Sequence, residues 1–278
     1  MLDFIDRLLA AARRNRSLLC VGLDPEADKL PESVRSERDP FFAFNRAIVE
    51  ATADLVCAYK PNLAFYEALG PTGLDALTKT LAVIPTDVPV IGDAKRGDVS
   101  HSTRAYARAL FDHFGFDAVT ASPYLGLEAL EPFLERADRG VFVLCRTSNP
   151  GAREFQDLAV TLGPGEEPVP FYLAVARRVV AANRHGNAGL VVGATYPEEL
   201  RRVRRVAPEV PILIPGVGAQ SGDLERSVRF GCDARGERAI VNSARQIIYA
   251  SADRDFATAA RKAALALREE INRYRQWQ

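Results

Sequence analysis

Three ionisable residues, Asp93, Lys95 and Asp98, form the densest cluster of chemically useful side chains in the sequence. They follow the apolar run from Val88 to Gly92, which has the length and composition of a buried strand. Because alternate side chains of an extended strand point to the same side, we expect Asp93 and Lys95 to lie together. Opposite charges a few ångströms apart favour each other's ionised forms. The cluster therefore predicts a fixed charge array with a chemical role, the alternative being a structural salt bridge at a strand end.

Polar residues also follow three other apolar runs. Asp24 follows the first run, Lys60 the second, and Ser148 the fifth. In a barrel of parallel strands, the active site is assembled at the carboxyl ends of the strands. We therefore expect these three side chains to converge with the charge array on one mouth of the fold.

A glycine-rich segment and an arginine follow the last two apolar runs. The segment from Ile214 to Gly222 contains a Gly-x-Gly sequence, and Arg245 follows the run that ends at Asn242. Glycines let the backbone approach an anion, and arginine binds phosphate through paired, charge-assisted hydrogen bonds. These are barrel positions that commonly hold a phosphate. The glycines alone would indicate a turn, but together with Arg245 they predict a phosphate site.

The elements that must position these residues alternate as short apolar runs and longer amphipathic stretches. Eight runs are candidate strands: Leu18–Leu23, Leu55–Tyr59, Val88–Gly92, Ala118–Ala121, Val141–Cys145, Leu190–Gly193, Ile212–Pro215 and Ala239–Asn242. Six stretches have helical periodicity: Phe41–Ala53, Thr103–Phe114, Tyr172–Asn183, Glu198–Val206, Asp223–Phe230 and Asp255–Tyr274. This alternation, with strands apolar on both faces, predicts an α/β fold that is a single-domain (β/α)8 TIM barrel over residues 1–278. An open doubly wound sheet is the second choice.

Composition and charge limit the function classes. The 278 residues are 47% hydrophobic, and 36 basic residues balance 36 acidic ones, so no overall field would attract nucleic acid or an acidic membrane surface. No apolar stretch reaches the ~18 residues of a transmembrane helix, and Met1 to Leu9 has the pattern of a surface helix. The four cysteines and three histidines lack zinc-site spacing, so we expect buried, reduced thiols, no metal and a cytoplasmic protein. The stretch from Thr147 to Pro170 is expected to form an irregular loop over the barrel mouth.

Together these segments resemble the orotidine 5'-phosphate decarboxylase family, and the resemblance covers nearly the whole chain. The segment from Asp93 to Asp98 is similar to the family's Asp-x-Lys-x-x-Asp signature, which related sugar-phosphate decarboxylases and hexulose-phosphate synthases share. Four further segments resemble the longer bacterial subgroup of the family: Tyr59–Asn62, Cys145–Gly151, Val192–Thr195 and Pro215–Gln220. The resemblance implies a homodimer that converts orotidine 5'-phosphate to uridine 5'-phosphate, the last step of pyrimidine nucleotide synthesis, without a metal or an organic cofactor.

The resemblance also assigns roles to the charged residues. Lys95 would protonate C6 of the pyrimidine after carbon dioxide leaves, and Asp93 would lie beside the substrate carboxylate. Lys60 would complete the array and contact the ribose, whose hydroxyls Asp24 would also bind. Asp98 would reach into the active site of the partner subunit.

The remaining substrate contacts follow from the same resemblance. Ser148 matches the serine that hydrogen-bonds the pyrimidine. Four residues match the segments that bind the rest of the nucleotide and its phosphate: Pro215, Gln220, Ala244 and Arg245. Where the family pattern leads us to expect threonine four residues after Asp98, this chain has Ser102 followed by Thr103, so either hydroxyl is a candidate for the partner's ribose.

Three other functions fit parts of the pattern. A magnesium-dependent sugar-phosphate decarboxylase or synthase would use the acids after the third strand as metal ligands, but this chain has Lys60 where those enzymes supply an acid. A Schiff-base aldolase would need Lys60 or Lys95 as a free amine, whereas the neighbouring carboxylates favour the ammonium form. A non-catalytic phosphate-binding barrel is the third alternative.

Overall fold

The computed structural model of the protein describes residues 3–217 and 223–275. Its strands are β1 Leu19–Gly22, β2 Ala58–Lys60, β3 Ile91–Arg96, β4 Ala118–Ala121, β5 Gly140–Arg146, β6 Ala159–Val160, β7 Val169–Pro170, β8 Ala188–Val192, β9 Ile212–Pro215 and β10 Ala239–Ser243. Eight of them form one parallel sheet in the order β2-β1-β10-β9-β8-β5-β4-β3. Bridges between Tyr59 and Val90 and between Asn62 and Asp93 join β2 to β3 and complete the ring. The predicted (β/α)8 barrel is confirmed, and the open doubly wound sheet is excluded.

The helices surround this ring. They are α1 Phe4–Arg14, α2 Glu32–Arg35, α3 Pro40–Thr52, α4 Leu63–Glu67, α5 Gly70–Val83, α6 Ser100–Ala107, α7 Glu131–Leu134, α8 Arg153–Gln156, α9 Phe171–Ala182, α10 Pro197–Val206, α11 Leu224–Gly231, α12 Arg245–Ile248 and α13 Phe256–Tyr274. The helix predicted to end at Phe114 is α-helical only to Ala107 and continues as a π-helix over Arg108–His113. The sequence analysis did not predict α4 or α5. The helix α4 has only five residues. The helix α5 begins with Gly-Pro and contains a further glycine, which lowers its helix propensity.

The amino-terminal end of the barrel is closed by α1. Phe4 and Leu8 are buried in the same apolar cluster as Phe142 on β5. The Phe4 and Phe142 rings meet edge to face with centroids 5.8 Å apart, and Phe4 also lies against Gly140 at the start of β5. The predicted surface helix is confirmed, with Asp6, Arg13 and Arg14 exposed, and its apolar face seals the barrel interior.

The stretch from Thr147 to Pro170 was predicted as an irregular loop, and this was wrong. It contains α8 and the antiparallel hairpin of β6 and β7. Residues 147–149 line the cavity at the barrel mouth, whereas the hairpin contacts α9. The prolines and glycines of this stretch lie at or between the ends of these short helices and strands.

Two further sequence predictions concern the whole chain. Within residues 3–217 and 223–275, no helix is long and apolar enough to cross a membrane. All four cysteines lie in these ranges and are free, and Cys20, Cys57 and Cys145 are buried as expected while Cys232 is partly exposed. Burial raises the pKa of each of these thiols above its ordinary value.

Candidate active site

A cavity of about 560 Å³ opens at the carboxyl ends of the barrel strands, and its volume is within the range of small-molecule sites. Eight predicted site residues line it: Asp24, Lys60, Asp93, Lys95, Ser148, Pro215, Ala244 and Arg245. Asp98, Ser102 and Thr103 do not line this cavity of their own chain. Gln220 lies outside the described residues. The structure therefore brings most of the predicted residues together at one mouth.

Lys60, Asp93 and Lys95 form a chain of alternating charge in this cavity. Lys60 Nζ donates to Asp93 Oδ2 over 2.9 Å, and Lys95 Nζ donates to Asp93 Oδ1 over 2.6 Å. The Lys60 side chain is only 4% exposed, whereas that of Lys95 is 49% exposed. The barrel thus fixes Asp93 between two ammonium groups and leaves Lys95 accessible to a ligand.

The electrostatic balance differs between the buried members of the site. Burial by itself lowers the pKa of Lys60, but the Asp93 and Asp24 carboxylates outweigh burial and the pKa lies above its usual range. Burial by itself raises the pKa of Asp93, but Lys60 and Lys95 outweigh burial and the pKa lies well below its usual range. At Asp24 burial prevails, so the pKa of this carboxyl is raised despite Lys60 and a 3.0 Å hydrogen bond from the Asn62 amide. A hydrogen bond from a ligand hydroxyl would stabilise the ionised form of Asp24.

The backbone at Lys95 is not the extended strand that the sequence predicted. Its φ is +49°, in the left-handed region that residues with a Cβ rarely adopt. The pairing of β3 with β4 shifts register between Gly92 and Arg96, so β3 bulges at this point. The expected contact between Asp93 and Lys95 is confirmed, but the bulge produces it. Such strain persists only where surrounding contacts hold it, and it is common at active sites.

Ser148 is supported by the buried guanidinium of Arg146 at the end of β5. The Arg146 guanidinium carbon lies 3.8 Å from the centroid of the Tyr196 ring, and Nη1 donates to Gln156 Oε1 over 3.2 Å. Gln156 also accepts from the Thr147 amide and donates to the Thr147 hydroxyl, each over 2.9 Å. The residue before Ser148 is therefore fixed through both its backbone and its side chain, which places Ser148 at the cavity wall.

The segment after β9 and the start of α12 form another wall of the cavity. Gly216 has a φ of +92°, a conformation that glycine adopts without strain. Arg245 is exposed, lines the cavity and has no ion pair with any carboxylate of the described residues. Its guanidinium is therefore available to an anionic ligand.

The segment that carries Asp98 lies beside the mouth. The Asp98 carboxylate accepts from the Val99 amide over 2.7 Å. Thr103 is fully buried, and its hydroxyl donates to the Asp98 carbonyl over 2.7 Å and accepts from the Asp98 amide over 3.2 Å. Ser102 is partly exposed. Thr103 therefore shapes this turn, and Ser102 is the hydroxyl that remains accessible.

Several polar residues that line the cavity were not predicted as site residues, among them Thr120 on β4 and Asn242 on β10. The Thr120 hydroxyl donates to Asp93 Oδ1 over 2.8 Å and accepts from the Lys95 amide over 3.0 Å. Asn242 Oδ1 is buried without a hydrogen-bond partner among the described residues. Each of these two residues is a polar side chain within or at the end of an otherwise apolar run, and this is the one sign of it in the sequence.

Comparisons of the sequence and of the fold with known proteins all point to one family. The sequence profile of the orotidine 5'-phosphate decarboxylase / HUMPS family matches residues 17–263. Over 276 residues the chain is 53% identical to an orotidine 5'-phosphate decarboxylase of Thermomicrobium roseum, covering 99% of this chain and 97% of that one. Over 264 residues it is 51% identical to that of Herpetosiphon aurantiacus, covering 95% and 96%. The fold matches Leishmania donovani OMP decarboxylase with a TM-score of 0.85 at 40% identity, covering 98% and 99%.

Proposed function

Since the chain belongs to the orotidine 5'-phosphate decarboxylase / HUMPS family, we propose that it decarboxylates orotidine 5'-phosphate with Lys95 as the proton donor and without a metal or cofactor. The products are uridine 5'-phosphate and carbon dioxide, and the reaction is the last step of pyrimidine nucleotide synthesis. The proposal rests on one observation, the Lys60–Asp93–Lys95 array in a cavity that also contains Arg245, which has no ion pair among the described residues.

The accessible ammonium of Lys95 suits this chemistry. Loss of carbon dioxide breaks the bond to C6 and leaves its electron pair in a ring that has no attached electron sink. An ammonium fixed beside C6 attracts that growing charge more strongly in the transition state than in the ground state, so it lowers the barrier. It then transfers a proton to C6. The bulge and the 2.6 Å hydrogen bond to Asp93 hold Lys95 in place for both roles.

The other substrate contacts divide along the nucleotide. We assign the phosphate to Arg245, the Ala244 amide and Gln220, and we assign a further substrate contact to Pro215. Ser148 contacts the pyrimidine, and Asp24 and Lys60 contact the ribose hydroxyls. The raised pKa of Asp24 supports this role, because a ribose hydroxyl would supply a hydrogen bond to a buried carboxylate.

The active site is proposed to be completed by a second copy of the chain. Asp98 does not line the cavity of its own chain, although it belongs to the signature that supplies Asp93 and Lys95. The adjacent apolar side chain of Val99 is 59% exposed, which is the kind of surface that subunits bury. We therefore place Asp98 and the accessible Ser102 in the partner's site. We also infer a cytoplasmic location, which the four free cysteines support.

The magnesium-dependent alternative is not favoured by the geometry. Both oxygens of Asp93 accept hydrogen bonds from lysine ammonium groups, and these donors would repel a divalent cation. The Schiff-base alternative is also disfavoured, because the pKa of Lys60 lies above its usual range and Lys95 is paired with a carboxylate.

Turnover in the presence of a chelator tests the proposal. The purified protein, given orotidine 5'-phosphate and excess EDTA, should remove the substrate's ultraviolet absorbance and form uridine 5'-phosphate. A loss of activity in EDTA that magnesium restores would instead support the sugar-phosphate alternative. No turnover at micromolar enzyme would overturn the proposed function.

The phosphate assignment predicts the effect of Arg245→Ala. Loss of a charge-assisted contact costs about 1.5–3 kcal/mol, so the dissociation constant for uridine 5'-phosphate should rise about 10- to 150-fold. Binding of uridine, which lacks the phosphate, should change little, and calorimetry measures both. Arg254→Ala is the matched control, because Arg254 is also exposed but does not line the cavity. An equal loss for uridine would contradict the assignment.

A further inference from the structure

We propose that Thr120, on β4, is a positioning residue for the reaction. Its hydroxyl holds the strained Lys95 backbone and the Asp93 carboxylate in fixed positions relative to each other. The inference rests on the proposed roles of Asp93 and Lys95. Thr120 is buried, with 1% exposure, and lines the cavity beside them.

The argument begins with the pairing of β3 and β4. Gly92 pairs with Val119 and Arg96 pairs with Ala121, so three residues of β3 stand opposite the single residue Thr120. A backbone amide in such a bulge loses its regular ladder partner and needs another acceptor. The Lys95 amide finds that acceptor in the Thr120 hydroxyl over 3.0 Å.

The same hydroxyl donates its proton to Asp93 Oδ1 over 2.8 Å, and Lys95 Nζ donates to that oxygen over 2.6 Å. The contacts therefore close a ring from the Lys95 amide through Thr120 to Asp93 and back to the Lys95 ammonium. The hydroxyl must accept on one side and donate on the other, which serine and threonine can do. Valine has nearly the same shape but can do neither.

This ring explains how a lysine persists at a φ of +49°. Left-handed backbone in a residue with a Cβ is unfavourable and requires surrounding contacts to hold it. Without the hydroxyl, the partly buried Lys95 amide would lose this acceptor and Asp93 would lose one of its donors. The bulge would then relax, and Lys95 would move away from the position that faces C6.

The test compares Thr120→Val with Thr120→Ser. Loss of a hydrogen bond to a charged group, or a displacement of about 1 Å, corresponds to roughly 10- to 100-fold in rate. We therefore expect Thr120→Val to lower kcat by about that factor while KM changes little, because the phosphate and ribose contacts remain. Thr120→Ser keeps the hydroxyl and should restore kcat to within about threefold of the wild-type value.

Thr80→Val is the matched control. Thr80 is also fully buried and hydrogen-bonded, to the Ala76 carbonyl and to Asn45, but it lies on α5 and does not line the cavity. It should lose thermal stability without a change in kcat. Wild-type kcat in Thr120→Val, or an equal loss in Thr120→Ser, would overturn the inference. If the wild-type protein itself did not turn over, the proposed function would fail instead, so the two failures are distinguishable.

Discussion

Replacing Lys95 by alanine is expected to lower kcat by about 10⁴-fold or more. The substitution removes the proton donor, whose contribution is typically 10²–10⁴-fold, and also the fixed positive charge, which contributes a further ~10²–10³-fold. The binding of uridine 5'-phosphate should remain within about tenfold of wild type, because the groups assigned to the phosphate and ribose are unchanged. Single-turnover assays measure the rate, and calorimetry measures the binding.

Lys79→Ala is the control for the general effect of removing a lysine. Lys79 is exposed on α5, where its ion pairs with Asp39 and Asp75 lie away from the cavity. Its loss should leave kcat unchanged. Substantial turnover by a folded Lys95→Ala protein would remove Lys95 from the mechanism, whereas a matched loss in Lys79→Ala would point to instability.

The second large effect concerns mixtures of two inactive variants. We expect Asp98→Asn and Lys95→Ala each to retain less than about 1% of wild-type kcat. If each site takes Lys95 from one subunit and Asp98 from the other, half of the dimers in an equal, fully exchanged mixture are heterodimers. One of their two sites is intact, so activity should recover to about a quarter of the wild-type value.

A second mixture provides the control, because Lys60 and Lys95 belong to the same array in one chain. Heterodimers of Lys60→Ala with Lys95→Ala would carry one defect in each site, so no activity should return. Steady-state assays after co-expression distinguish the two mixtures. If the Asp98 mixture stayed as inactive as its parents, the shared site would be refuted.

The fold could be predicted largely because its signals are repeated. Each barrel strand is a short apolar run with turn residues around it, and eight such runs between helices leave few alternative architectures. The failures have local causes. The helix α5 begins with Gly70 and Pro71 and contains Gly73, a composition that hides its periodicity, although Gly73 is required because a Cβ there would meet the Tyr66 carbonyl. Strand β3 was expected to end near Gly92 because charged residues follow it, yet it continues to Arg96.

The site was predictable in its residues but less so in its geometry. Charged side chains after apolar strands mark Lys60, Asp93 and Lys95, since burial of charges needs a reason. The left-handed backbone of Lys95 leaves no sequence signal, because lysine is not a residue that favours it. Thr120 was missed for a similar reason, since one threonine among apolar neighbours in a strand is ordinary. The hydrogen bonds of Thr103 to the Asp98 backbone, which favour Ser102 as the accessible hydroxyl, also have no sequence signal.

Because α1 closes one end of the barrel, it limits the routes by which protons and products can reach or leave the active site. Each proposed turnover takes one proton from Lys95 and releases a gas and a nucleotide. Among the described residues, Phe4, Leu8 and Phe142 fill the barrel below the charge array with buried apolar side chains, which do not bind water. If Lys95 is the proton donor, we expect both products to leave through the mouth at which the substrate enters. We therefore expect the proton that Lys95 regains from bulk water to enter from the same side as the substrate.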